Sequence, residues 1–339
     1  EMLRGAFLYA GGRDVELGRI AWRRDGPEAT VAVRRDDEGH VLLQINGKVD
    51  ATSLGDATTQ TVVGIVPVAM ARTPRDVLVV GLGSGMTVDA ARSVPGVRSV
   101  EVAELVRDVV RAARYDFSRA NHHCLDDRRV RVLEADAAHY LRGSPRRYDA
   151  IVSEPSNPWV AGMSDLFTRE ALVAAREHLR PGGAYGQWFH AYGTSADVVA
   201  SIVATFREVF PRATLMEVSP GMDYLLVGIR EPAQLDLDAF LTRTVSGLPQ
   251  QHCEDCDVRG QHQQYEPHGG VRRDQCSEGN HGADQRRVLP HLVADREAPG
   301  LQDVRPLRVQ GHIVDDQLAA EVRHDPERDR QQPQPGRDD

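Results

Sequence analysis

Val79-Val-Gly-Leu-Gly-Ser-Gly-Met-Thr87 is the stretch on which the fold turns. It ends the apolar run Val77-Leu-Val-Val80, of the kind buried on both faces of a parallel sheet, and the pattern beyond it starts a helix near Val88. Three glycines, Gly81, Gly83 and Gly85, let the backbone turn tightly and meet a ligand without a Cβ in the way. About 20 residues later, just past the next strand, stands Glu104, where a carboxylate can accept both hydroxyls of a ribose. Strand, glycine turn and acid together point to a nucleoside-containing ligand, either a dinucleotide or an S-adenosylmethionine-like molecule.

Outward from the turn, strands alternate with helices from Asp76 to about Arg230, which implies βαβ units and a mostly parallel sheet. Ser99–Val102, Val130–Leu133, Ala150–Ser153, Ala184–Trp188 and Tyr224–Gly228 read as further strands. Apolar residues at helical spacing run from Val106 to Phe117 and from Val198 to Val209. A third helix, from Arg169, is expected to stop at Leu179, with Pro181-Gly-Gly183 as a turn into the next strand. Upstream, Ala29–Val33 and His40–Ile45 flank a polar, glycine-containing turn and predict a hairpin; helical signals begin near Asp56, and Pro67 and Pro74 bracket a linker. The fold class is therefore α/β, a Rossmann-like sheet of the class I methyltransferase type. The expected division is a small N-terminal β-domain over 1–70, a ligand-binding catalytic domain over 71–245, and a tail over 246–339.

Two compositions meet near residue 245. Of 17 Gln, 13 lie beyond it, whereas all 7 Phe, all 3 Trp and all 6 Met lie before it. Only 15 of the last 94 residues are Ile, Leu or Val, too few to offset a backbone ordering cost of roughly 1–2 kcal/mol per residue. The tail reads either as disordered or as the out-of-frame translation of a shifted gene. His252, Cys253 and Cys256 offer a Cys-x2-Cys spacing there, but no second ligand pair at the usual spacing follows, so no metal is expected. Net charge is −9, which argues against a nucleic-acid-binding body. No run of 18 apolar residues occurs, the first residues do not read as a signal peptide, and Cys124 alone among residues 1–245 favours a reducing, cytoplasmic setting.

Two features separate the ligand classes. Asp136-Ala137 follows the strand Val130–Leu133, where a class I methyltransferase-type sheet sets an acid against the adenine amino group. Tyr148-Asp-Ala-Ile-Val-Ser-Glu-Pro-Ser-Asn-Pro-Trp159 then puts a polar cluster at the carboxyl end of the fourth strand, where open α/β sheets hold reacting groups. That order points away from nicotinamide dehydrogenases.

On these residues the chain resembles the spermidine synthase (polyamine aminopropyltransferase) family, and especially its bacterial branch in which such a domain is often fused to membrane helices. The similar stretches are Asn46–Thr52, Asp56–Gln60, Gly81–Gly85, Glu104, Asn121, Asp127–Val130, Asp136-Ala137, Ser153–Gly162 and Leu166-Phe167. The resemblance covers about residues 27–230. It implies transfer of an aminopropyl group from decarboxylated S-adenosylmethionine, a co-substrate and not a tightly bound cofactor, to a diamine such as putrescine, with methylthioadenosine leaving. It further implies that Glu154 is the catalytic base and that Gly81, Gly83, Ser84 and Gly85 cradle the donor. Glu104 would hold its ribose, and Asp136 with Ala137 its adenine. Asp56, Gln60, Asn157 and Trp159 would lie on the amine side. A homo-oligomer and membrane helices upstream of Glu1 are expectations of the same kind.

Three departures bear on specificity. Other members carry an acid within the glycine turn where this chain has Ser84, a second acid where it has Asn157, and a Tyr and a His around Thr59-Gln60. Each close ion pair in a partly buried site contributes on the order of a few kcal/mol, so losing two acids weakens the case for a dication. A turn without an acid also suits ordinary S-adenosylmethionine, whose carboxylate an acid would repel. Methyl transfer is the alternative reading, and a non-catalytic nucleoside-binding remnant is a third. Trp188 and His190, at the end of a strand on the same edge, are candidates for lining the cleft and for proton transfer, or are core and structural residues.

Overall fold

The computed structural model of the chain describes residues 18–156, 163–191, 193–219, 221–231 and 237–247. A four-stranded antiparallel sheet comes first, with β1 (Arg19–Asp25), β2 (Thr30–Arg35), β3 (Val41–Ile45) and β4 (Lys48–Thr52) in sequence order. The second sheet holds β5 (Asp76–Val80), β6 (Ser99–Glu104), β7 (Val130–Glu134), β8 (Tyr148–Ser153), β9 (Leu179–His190), β10 (Thr214–Ser219) and β11 (Asp223–Ile229). Its order is β10-β11-β9-β8-β5-β6-β7; β5 to β9 pair in parallel, and β10 and β11 close one edge antiparallel. The helices are α1 (Ala57–Met70), α2 (Met86–Ser93), α3 (Arg107–Arg111), α4 (Ala137–Gly143), α5 (Arg169–His178), α6 (Ala196–Val209) and α7 (Leu237–Gly247).

β5 shows why the sheet forms. Val77 and Val79 point into one core with α1, α2 and the small sheet, while Leu78 and Val80 point into another with α4, α5 and α6. Burying each such side chain contributes about 1.5–3 kcal/mol, so an apolar run without a polar gap settles at the sheet centre. The chain runs outward from β5 to β6 and β7, then returns to β8 on its other side. That reversal between β5 and β8 is a topological switch point, and ligands of open α/β sheets bind beyond the strand ends there.

Several local expectations are corrected. Pro67 does not begin a linker: α1 continues through it to Met70. Its ring lies against Gly186 of β9, where an added Cβ would come within 2.3 Å of the Pro67 Cγ, and this packing offsets the lost N–H. Thus α1, grouped in the sequence with the first domain, has its buried side in the core of the large sheet. Pro181-Gly-Gly183 is likewise no separate turn. β9 starts at Leu179 opposite Tyr148 and resumes at Ala184 opposite Ala150, so the intervening residues form an irregularity inside the strand. The helix from Val106 is α-helical only to Arg111 and continues as a π-helical turn, Ala112–Asp116. β1, β4 and β10 are strands that the sequence pattern did not announce. Among the described residues no helix is long and apolar enough to cross a membrane. The Cys-x2-Cys segment and the rest of 248–339 lie outside the described residues, as do Asn157 and Trp159.

Candidate active site

A cavity of about 970 Å³ opens at the switch point, between the small sheet and the carboxyl ends of the large sheet's strands. It is at the upper end of the roughly 300–1,000 Å³ usual for small-molecule sites. One wall is the glycine turn. Gly81 has φ +87°, and a Cβ there would lie 2.8 Å from the Glu154 carbonyl oxygen, so only glycine lets the two strand ends sit side by side. The Glu154 N–H donates to the Val80 carbonyl at 3.0 Å, which fixes that proximity. Behind the turn, buried Asn121 donates to the Ser84 and Ala113 carbonyls, each at 2.8 Å, and holds Gly85 at φ +86°.

Glu104 ends β6 and lines the cavity. Its carboxylate accepts the N–H groups of Leu82 at 3.0 Å and Val106 at 2.8 Å, which pull its pKa down against the stronger upward push of burial. The Leu105 N–H adds a third such bond, so the carboxylate is held firmly with acceptor capacity left for a ligand hydroxyl. Asp136 also lines the cavity, with Ala137; it is exposed and caps α4, accepting the His139 N–H at 2.6 Å. Gly81 and Gly83 line the cavity, but Ser84 and Gly85 do not. Ser84 is fully buried, and its hydroxyl donates to Oε1 of Gln60, which does reach the cavity.

Glu154, just past β8, lines the cavity on the far side of the turn. Burial is the main cause that raises its pKa to about 8; a hydrogen bond with the Thr87 hydroxyl opposes this, and Asp56 and Asp223 push it further up. A carboxyl poised near neutrality can take and release a proton under ordinary conditions. Asp56 does not line the cavity; it accepts the Thr52 N–H at 2.7 Å, and burial raises its pKa too. On the small-sheet side, Lys48 donates to Asp50 at 2.7 Å and the Ser156 hydroxyl donates to the same oxygen at 2.6 Å, which ties β4 to the loop after β8. Cys124 is not a nucleophile, since burial pushes its thiol up to about 12.

One residue near this site went unnoticed in the sequence. Asp223, first in β11, pairs in register with His190 of β9, and the His190 Nδ1 lies 2.6 Å from its carboxylate. The signal is the antiparallel alignment of two strands 33 residues apart, which no local pattern carries.

A family profile described as Spermine/spermidine synthase domain matches residues 57–222. Residues 57–222 are thus similar to a spermine/spermidine synthase domain. Polyamine aminopropyltransferase 2 of Streptomyces coelicolor is 37% identical over 176 residues, covering 51% of this chain and 30% of that protein. Putrescine N-methyltransferase 2 of Nicotiana attenuata is 27% identical over 177 residues, covering 50% of this chain and 45% of the relative. The chain thus spans less than half the length of these curated relatives. A spermidine synthase solved in complex with the transition-state analogue AdoDATO superposes with a TM-score of 0.58 at 19% identity, covering 68% of this chain and 86% of that one. At that identity the likeness shows the synthase fold: a Rossmann-like sheet with a small antiparallel sheet before it.

Proposed function

We propose that the chain transfers an aminopropyl group from decarboxylated S-adenosylmethionine to a diamine such as putrescine, releasing methylthioadenosine. One observation carries this reading. A single cavity in a synthase domain has the glycine turn and Glu104 on one wall and Glu154, with its raised pKa, on the other. Similarity to an aminopropyltransferase, and in fold to a spermidine synthase solved with a transition-state analogue, supports it.

In this reading Gly81 and Gly83 face the donor, Glu104 accepts the ribose hydroxyls, and Asp136 with Ala137 meets the adenine. Ser84 and Gly85 shape the turn from behind. Glu154 as carboxylate removes a proton from the acceptor's ammonium, leaving a neutral amine. The amine's lone pair forms a C–N bond at the carbon beside the sulfonium, and the C–S electrons return to sulfur, which leaves as a neutral thioether. The product amine keeps the positive charge. Most of the acceleration must come from alignment in a closed cavity, since both reactants are otherwise stable together in water. On the acceptor side Gln60 lines the cavity and Asp56 acts through the charge it presents to Glu154, while Asn157 and Trp159, expected there from the sequence, lie outside the described residues. The reading includes the 1–70, 71–245 and 246–339 division, a homo-oligomer and a cytoplasmic setting, to be checked by limited proteolysis, light scattering and fractionation.

The test is to incubate the purified chain with putrescine and decarboxylated S-adenosylmethionine and to quantify methylthioadenosine by chromatography. Absence of release with any diamine overturns the proposal. One observation favours a second reading, methyl transfer from ordinary S-adenosylmethionine: Ser84 is neutral, turned to Gln60, and presents no acid to an amine tail or against a carboxylate. Release of S-adenosylhomocysteine from that donor would establish it instead.

A further inference from the structure

We propose that the lobe of the cavity between α4 and α5 is a specificity pocket for an uncharged, mainly apolar group carried on the amino edge of the donor's adenine. This rests on the reading of Asp136 and Ala137 as the adenine contacts, and it extends the donor class to N6-monosubstituted adenine nucleosides.

The cavity does not end at the strand tips. Along α4 its lining runs from Ala137 to Leu141 and Arg142, and along α5 it takes in Ala171, Ala174 and Ala175, which share one helix face. At 1.5 Å per residue, the step from Ala137 to Leu141 is about 6 Å. The sheet gives the same depth. Ser153 and Ile151 lie on one face of β8 and both line the cavity, a step of about 6–7 Å at the usual rise of a strand. Ile151 pairs in register with Tyr185 of β9, which lines the cavity too. A planar base held by Asp136 and Ala137, where α4 begins, sits at the top of this step and leaves the lower part open.

The lower part is uncharged. Leu141, Ile151, Ala175 and Tyr185 are buried members of the core beneath α4, α5 and α6. The charged residues lining this side, Asp136, Arg142, Asp165 and Glu170, are all exposed and so stand at its rim. His178 fixes the spacing of the two helices: its ring nitrogens lie 2.7 Å from the Ala174 carbonyl oxygen and 3.0 Å from that of Ser144, just past α4. The alanines of α5 leave the space between unfilled. Protein interiors are close-packed, and apolar walls without contacts cost stability, so an apolar group that enters recovers what the alanines forgo. The wall has one polar spot. The Ser153 hydroxyl, 1% exposed, makes no hydrogen bond among the described residues although the Tyr185 hydroxyl is close, and it accommodates a single oxygen on the entering group. N6 is the point of attachment because Asp136 accepts only one N–H of an adenine amino group. Monosubstitution keeps that contact and turns the other position toward the lobe.

The experiment is calorimetric titration of methylthioadenosine, its N6-benzyl derivative and the 8-benzyl isomer into the full chain, as wild type, Ala174→Leu and Ala171→Leu. Wild type should bind the N6-benzyl compound about tenfold or more tighter than methylthioadenosine, and the 8-benzyl isomer no tighter. A leucine at either position fills the lobe and should bring the N6-benzyl preference down to about one. A wild-type gain below about threefold, an equal gain for the 8-benzyl isomer, or a preference that survives a folded leucine variant overturns the assignment. Melting temperatures show which variants are folded, and the wild-type comparison decides without them. If wild type has the preference but releases no methylthioadenosine from decarboxylated S-adenosylmethionine with any diamine, aminopropyl transfer fails and the lobe's assignment stands. Release without the preference means the reverse, and binding of none of the three nucleosides overturns both.

Discussion

At the glycine-turn end of the cavity the chain presents backbone: Gly81 at φ +87°, and a Glu104 carboxylate fastened by the N–H groups of Leu82 and Val106. On the opposite wall it presents side chains from separate elements, Glu154 after β8, Gln60 on α1 and Trp188 on β9, with the Asp223–His190 pair beyond the lining. The first end is built within one stretch of chain and is ready before any ligand arrives. The second buries Glu154 under the influence of Asp56 and Asp223, which makes its charged form costly. Under the proposed function the first end takes the donor and the second the acceptor, so the two should be separately alterable.

Glu154→Gln should produce the largest effect. Loss of a general base lowers turnover by roughly 10²–10⁴-fold, while methylthioadenosine affinity by calorimetry should stay within about threefold. A parallel loss of nucleoside binding would mean the two ends are not independent. The pH profile sharpens the point. Because the working form is the carboxylate and its pKa is about 8, kcat/KM for the acceptor should rise about tenfold per pH unit below that value and level off above it. Stability runs the other way. A carboxyl whose folded pKa exceeds its ordinary 4.5 binds more protons folded than unfolded, so its contribution falls as pH rises from about 4.5 to about 8. Glu154→Gln should therefore raise the ligand-free melting temperature at pH 8 by a few degrees and flatten its pH dependence, as thermal melts across pH would read.

Glu104→Gln probes the backbone-built end. An amide offers one acceptor oxygen in place of two, so either the Leu82 or the Val106 N–H loses its partner and the diol loses a charged acceptor. Donor affinity should fall about 10–100-fold in calorimetry, with little change in the preference between diamine and monoamine. A shift in that preference would break the separation of the two ends.

How much of this was readable in the sequence follows the same division. The turn, its two flanking strands and Glu104 lie within residues 77–104, and their meaning is local: an apolar run, glycines, then an acid after one more strand. Glu154 was legible because the carboxyl end of a strand beside the turn is where a doubly wound sheet places chemistry. The Asp223–His190 contact was not, because it depends on β11 pairing antiparallel with β9, an alignment decided by the whole sheet. Pro67 misled for a related reason: its meaning as a breaker is local, and the space that tolerates it is supplied by Gly186 far along the chain. Ser84 stood in the right motif, yet its side chain turns to Gln60 and away from the cavity.

Gly81 and Gly39 form a matched pair for measuring what the turn costs. Both have φ +87°, but a Cβ on Gly39 would meet nothing within 4 Å, whereas one on Gly81 would meet the Glu154 carbonyl oxygen at 2.8 Å. Gly39→Ala should lower stability by about 1–2 kcal/mol through the left-handed backbone alone. Gly81→Ala should cost about 1–3 kcal/mol more, because the backbone must shift, and should also weaken the donor, which urea melts and nucleoside calorimetry would separate. Equal costs would mean that β5 and β8 are not held edge to edge at the switch point.

The smallest effect is expected at Ser84. Its hydroxyl bonds Gln60, whose amide reaches the cavity while Ser84 itself does not, so Ser84 should act on ligands only by positioning Gln60. Ser84→Ala removes two buried neutral hydrogen bonds, to Gln60 and from the Met86 N–H, each worth about 0.5–1.5 kcal/mol, and should raise the acceptor's KM about threefold with kcat little changed. In a Gln60→Ala background the same substitution should have no further effect on KM, since two residues acting through one contact are not additive. An equal Ser84→Ala effect in both backgrounds would mean that the hydroxyl acts on ligands other than through Gln60, and that the glycine turn contributes a side chain of its own.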